Sequence, residues 1–140
     1  MNRYLLDTNT CIYHIKGLFN IDKKIAAIGI ENCFLSEITI AELKFGVENS
    51  ENKEKNRENV EKFIKLFQVI PISSSIDIYA REKARLKTLG NLPDDFDLLI
   101  GCTAIANELI LVTRNVKHFE RLSSLKIEDW TKNETHRAKP

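Results

Sequence analysis

Three carboxylates in this 140-residue chain sit where a solvated surface charge does not belong. Asp7 follows directly on the apolar run Tyr4-Leu5-Leu6, Glu42 lies inside the segment ITIAELKFGV, and Asp97 is flanked by Phe96, Leu98 and Leu99. Singly, each has an ordinary structural use: Asp7 caps a helix, Glu42 turns outward toward Lys44, and Asp97 favours the positive end of a helix dipole. Gathered in one crevice they would repel one another. At an effective dielectric of ~20, two charges ~5 Å apart cost about 3 kcal/mol, so three such pairs approach ~10 kcal/mol. A cation, or bound protons, must offset that repulsion. Hard carboxylate oxygens with no histidine or thiolate among them select Mg²⁺ or Mn²⁺ over zinc or copper. Mg²⁺ also retains waters, one of which can serve as a nucleophile.

The elements flanking these acids decide whether they can meet. YLLD reads as a short buried strand, followed by a helix carrying Cys11, Ile12 and Ile15 and stopped at Gly17, so Asp7 stands at a strand-to-helix junction. A second unit repeats the plan, with CFL as strand, Ser36 as N-cap, and Ile40, Leu43 and Val47 marking the helix that holds Glu42. The polar stretch Glu48 to Lys62 reads as an exposed helix with mixed charges and a buried stripe of Val60, Phe63, Ile64 and Phe67. Val69 to Ile72 forms the next strand, and Ser75 caps a helix through Tyr79, Ala84 and Leu86 that ends at Gly90 and Pro93. A helix from Asp94 or Asp95 to about Glu108 carries Asp97 in its first turn, and LILVT is the clearest strand. Strands alternating with helices predict an α/β sandwich around a mainly parallel sheet. Ligands of such folds sit beyond the carboxyl ends of the strands, where Asp7 and the Thr113–Asn115 turn both fall.

Composition narrows the functions available. With 43% apolar and 29% charged residues, the chain is sized and balanced for one domain, residues 1–131, followed by a polar tail, residues 132–140. A net charge of +1 excludes binding to nucleic acid by bulk electrostatics, so any such contact needs a local patch or a cation. Three separated cysteines, Cys11, Cys33 and Cys102, form no CxxC pair and point to a reducing cytoplasm; Cys102 reads as a buried inert thiol. The opening MNRYLLDTN lacks the apolar centre of a secretory signal, and no run approaches the ~20 residues of a membrane helix. His14 and His118 fall on amphipathic helices without metal-type spacing and read as structural or surface residues, while His136 falls in the tail. Arg81, Lys83, Arg85 and Lys87 scatter around their helix, a pattern of solubility, although some of them could join Arg114 and Lys117 in meeting phosphates.

Four segments, YLLDTN, LSEITIAELKFG, FDLLIGCTAIANELILVTRNVKHFERL and LKIEDW, resemble in order and spacing the PIN-domain ribonucleases of the VapC toxin type, over about residues 2–131. The resemblance implies a PIN-like three-layer α/β/α sandwich and a Mg²⁺- or Mn²⁺-dependent endoribonuclease. It also implies the toxin of a toxin–antitoxin pair, usually a homodimer, inhibited by a small cognate antitoxin. Carried over by motif, the family's acids fall on Asp7, Glu42 and Asp97, and its surrounding polar residues on Asn9, Ser36, Thr113 and Asn115. One position departs: many members carry a further acid three residues after the asparagine of TRN, and here that residue is His118. Either His118, Asn115 or a water is left to fill that place.

Two other readings compete. A phosphatase of the haloacid-dehalogenase type also places a nucleophilic aspartate after its first strand, but needs a second carboxylate two positions on, where this chain has Asn9. A catalytically impaired module that binds nucleic acid or a protein partner would keep the fold without cleavage, with His118 in favour of it.

Overall fold

The computed structural model describes residues 2–132, so the expected tail lies outside the described residues except for Lys132. Five strands, β1 (Tyr4–Leu6), β2 (Cys33–Ser36), β3 (Gln68–Ile70), β4 (Ile110–Val112) and β5 (Ile127–Glu128), form one sheet in the order β3-β2-β1-β4-β5. Every pairing is parallel. The inner strands β1 and β2 are buried along their whole length, which is why they read as continuous apolar runs and not as alternating ones.

Alternation along β1 builds the layers. Tyr4 and Leu6 join one core cluster with Cys11, Ile21, Leu35, Leu43 and Phe63, whereas Leu5 joins the opposite cluster with Phe34, Leu86, Leu98 and Leu111. The first cluster is covered by α1 (Thr8–Ile15), α2 (Ile21–Ile28), α3 (Glu37–Glu48) and α4 (Lys53–Ile64). The second is covered by α5 (Ile76–Thr88), α6 (Asp95–Ala106) and the single turn α7 (Val116–Phe119). The result is a three-layer α/β/α sandwich.

Local chemistry moved several expected boundaries. The stretch from Glu48 to Lys62 is not one helix: α3 ends at Glu48 and α4 begins at Lys53. Between them Ser50 donates its hydroxyl to the Val47 carbonyl at 2.7 Å, a side-chain bond that competes with helix continuation. Ser75 does not cap α5 through its side chain; its hydroxyl donates to the Ile72 carbonyl at 2.7 Å and closes a 3₁₀ turn, Ile72–Ser75. The helix carrying Asp97 stops at Ala106, two residues early, because Glu108 takes a left-handed φ of 54°. Helix α2, entered through left-handed Phe19 and Asn20, and strand β5 carried no assignment in the sequence reading.

Chain order creates the crevice. From β1 the chain moves outward through β2 and β3, then returns to the other side of β1 with β4 and β5. The switch point between β1 and β4 is where an open parallel sheet offers a ligand cleft. Asp7 leaves β1 there, held by its N–H to the Val112 carbonyl at 3.0 Å.

Candidate active site

Asp7 is buried, with 6% of its surface exposed, at the N-cap of α1. Its Oδ1 accepts the Thr10 N–H at 2.8 Å, so the bland reading of this residue as a cap holds for one oxygen. Burial pushes its carboxyl above the usual range; hydrogen bonds from Thr113 and Thr10 pull it back, and the charge of Asp129 pushes it up again. Thr113 is itself buried, and its hydroxyl oxygen accepts the Asn115 N–H at 3.0 Å.

Glu42 does not turn to Lys44, which pairs instead with Glu61 at 3.6 Å. The Thr8 hydroxyl donates to Glu42 Oε1 at 2.6 Å and lies 3.1 Å from the hydroxyl of Thr39. Thr39 in turn meets the Ser36 hydroxyl at 3.3 Å, and its N–H donates to that same oxygen at 3.1 Å, capping α3. A chain of hydroxyls from α1 and α3 therefore fixes the Glu42 carboxylate toward Asp7's end of α1.

Asp97, in the first turn of α6, is partly open, with 33% of its side chain exposed. Burial raises its carboxyl; His118 lowers it; the charges of Asp94, Glu42 and Asp7 raise it further. Of these charges, Glu42 and Asp7 act on Asp97 less than His118 and Asp94 do. Across from Asp97, Nε2 of His118 lies 3.7 Å from Oδ2, and Nδ1 of the same ring lies 2.9 Å from the Asn115 amide nitrogen.

Among the described residues, no group of three or more His, Cys, Asp or Glu side chains stands ready to hold a metal ion. An open set of carboxylates suits Mg²⁺ or Mn²⁺, which keep several waters and need only one or two protein carboxylates. Burial first, and then the charges of Asp94, Glu42 and Asp7, lift Asp97, and a bound divalent ion would offset the like-charge part.

The other candidates fall out unevenly. Asn9 is exposed on the first turn of α1, and Ser36 serves chiefly as the α3 cap. The basic run of α5 is largely engaged elsewhere: Lys83 pairs with Asp95 at 2.9 Å, and Arg85 pairs with Glu82 at 2.9 Å. Arg114 stacks its guanidinium over the Phe19 ring at 5.3 Å. All three cysteines are buried, and burial pushes the Cys102 thiol up to about 12, which leaves it inert as expected.

Sequence reasoning missed Thr8, Thr39 and Asp129. Thr39 sits three residues before Glu42 on one helix face, a spacing that could have flagged it. Asp129 follows β5, whose Glu128 pairs with Val112 as Val112 pairs with Leu6, so Asp7, Thr113 and Asp129 form one row across three strand ends. Only that register reveals it.

The family model for the PIN domain matches residues 4–125. The chain belongs to the PIN-domain family. Within that family it is 35% identical over 132 residues to Ribonuclease VapC2 of Rickettsia felis, covering 92% of this chain and 98% of that protein. It is 33% identical to the tRNA(fMet)-specific endonuclease VapC of Salmonella typhimurium, covering 93% and 99% of the two chains. The solved structure of DNA-bound VapBC from Salmonella typhimurium superposes with a TM-score of 0.86 at 33% identity, over 93% of this chain and 99% of that one. This PIN domain thus shares the fold of that solved VapBC chain along nearly its whole length.

Proposed function

We propose that the chain is a Mg²⁺- or Mn²⁺-dependent endoribonuclease and the toxin of a toxin–antitoxin pair acting in the cytoplasm. The observation that carries the reading is the position of Asp7 at the end of β1, beside the β1–β4 switch point, with the hydroxyl of the next residue, Thr8, donating to Glu42 Oε1 at 2.6 Å. The names of the Rickettsia felis and Salmonella typhimurium relatives support the choice of RNA as substrate.

In this reading Asp7 and Asp97 hold the cation, and Glu42 completes the site directly or through a water. When bound, the divalent ion supplies a water nucleophile at neutral pH and offsets charge on the phosphate oxygens. Thr113 orients Asp7 through its hydroxyl, and Thr8 orients Glu42, so neither carboxylate need reorganise as charge develops. Asn9 and Asn115 position water or substrate around these acids, while the buried Ser36 acts on Glu42 only through Thr39 and Thr8. Lys117, exposed on α7, offers a cation for the flanking phosphates. Hydrolysis by water needs no covalent enzyme intermediate.

An antitoxin would cover the crevice and set a basic side chain, best an arginine, against the carboxylates. Expressed alone in bacteria, the wild type should arrest growth and degrade a limited set of RNAs, and Asp7→Asn should do neither. Co-expression with the neighbouring small gene product should restore growth. Equal harmlessness of wild type and Asp7→Asn at matched soluble levels, with RNA intact, would replace this reading by the binding module that His118 favours.

A further inference from the structure

Helix α7 is held against α6 at a residue that has no side chain. Gly101 lies one turn beyond Asp97 on α6, so the two share a face. A Cβ at Gly101 would collide with Leu122 Cδ1 and meet Phe119 Cδ1 at 3.5 Å, and both of those side chains are buried. That close approach sets His118, the residue before Phe119, beside Asp97, with Nε2 3.7 Å from Oδ2.

The other ring nitrogen decides where the proton sits. The Asn115 side-chain amide nitrogen lies 2.9 Å from Nδ1. An amide nitrogen only donates, so Nδ1 accepts and the ring proton is on Nε2. Asn115 is fixed in turn, its N–H donating at 3.0 Å to the Thr113 hydroxyl, the group that also binds Asp7. At 3.7 Å, Asp97 is too far away to accept the Nε2 proton in a hydrogen bond. An uncommitted donor, 40% exposed at its side chain, is therefore held beside carboxylates that, when ionised, only accept.

We infer that His118 touches the scissile phosphodiester, donating Nε2–H to a non-bridging phosphate oxygen, an inference that rests on the ribonuclease reading above. Phosphate oxygens, like carboxylates, are acceptors, so the acids cannot grip them directly. A fixed N–H beside Asp97 can, and its bond strengthens as negative charge grows on that oxygen during attack. The proton stays on the ring throughout.

Two measurements on the full chain test this. In ¹⁵N-histidine magnetic resonance spectra, with the His118 signals assigned by their loss in His118→Gln, wild type should carry the proton on Nε2 and none on Nδ1. In cleavage of total RNA with Mn²⁺, folded His118→Ala should fall by roughly 10²–10³, the scale of one lost donor to a developing oxyanion. His118→Gln, whose amide N–H reaches the same place, should recover at least about tenfold over His118→Ala, the scale of one hydrogen bond to a charged group. A merely structural ring would show no such rescue. A proton on Nδ1, wild-type cleavage by His118→Ala, or His118→Gln no more active than His118→Ala would overturn the donor and leave the ribonuclease reading standing. RNA left intact by folded wild type with metal would overturn both.

Discussion

One carboxylate oxygen of Asp7 accepts the Thr10 N–H, and an asparagine oxygen accepts the same bond, so Asp7→Asn separates the cap from the charge. The variant should fold and should lose Mn²⁺ binding in titration calorimetry; equal affinity in both proteins would remove Asp7 from the site. Glu42→Gln likewise keeps an acceptor for Thr8, and Asp97→Asn relieves repulsion from Asp94, Glu42 and Asp7. Both metal-free variants should melt at or above the wild-type temperature while RNA cleavage falls by roughly 10²–10³ or more. Melting below wild type in both would instead make these acids structural. The three acids were legible in the sequence because each interrupts an apolar run. Thr8 and Thr39 were not, since a hydroxyl in a helix has many uses and only the 2.6 Å contact to Glu42 gives Thr8 this one.

At the level of elements, α3 owes its start to Ser36, whose buried hydroxyl accepts the Thr39 N–H and touches the hydroxyl chain to Glu42. Ser36→Ala should cost about 1 kcal/mol, or roughly 3–5 °C in melting temperature for a chain of this size. It should also reduce activity less than Glu42→Gln does. A melting temperature unchanged by the substitution would show that α3 needs no cap here. The strand–helix alternation could be read directly, since buried parallel strands are short apolar runs and their helices carry spaced stripes. Helix α2 was passed over although Ile21, Ile25 and Ile28 stand at helical spacing ahead of Gly29; only its entry through left-handed Phe19 and Asn20 leaves no mark in the sequence. Strand β5 has only two residues, too few to show a period, and with it went the placement of Asp129 beside Asp7.

Across the whole molecule, the fold holds two acids above their ordinary range in its metal-free form, Asp7 chiefly by burial and Asp97 by burial and like charges. A carboxyl raised on folding contributes stability that is fully present below its unfolded pKa and lost as pH rises through the folded value. In EDTA, wild type should therefore lose stability relative to the Asp7→Asn/Asp97→Asn double variant from about pH 4 upward. The difference in melting temperature between the two proteins cancels groups common to both, among them Glu82 and His14, which shift in their own directions. A difference that stays flat from acid to neutral pH would contradict the burden assigned to these acids. Saturating Mn²⁺ should remove the wild-type slope, since the ion favours the ionised form. The most direct measurement is cleavage of purified total RNA by metal-stripped protein, with Mn²⁺ or Mg²⁺ added back, for wild type and Asp7→Asn at equal concentration. Discrete fragments should appear with wild type and metal only, vanish in EDTA, and be absent with the variant at every metal concentration. Intact RNA under all conditions with folded wild type, or equal cleavage by Asp7→Asn, would contradict the assignment of this crevice as a metal-dependent ribonuclease site.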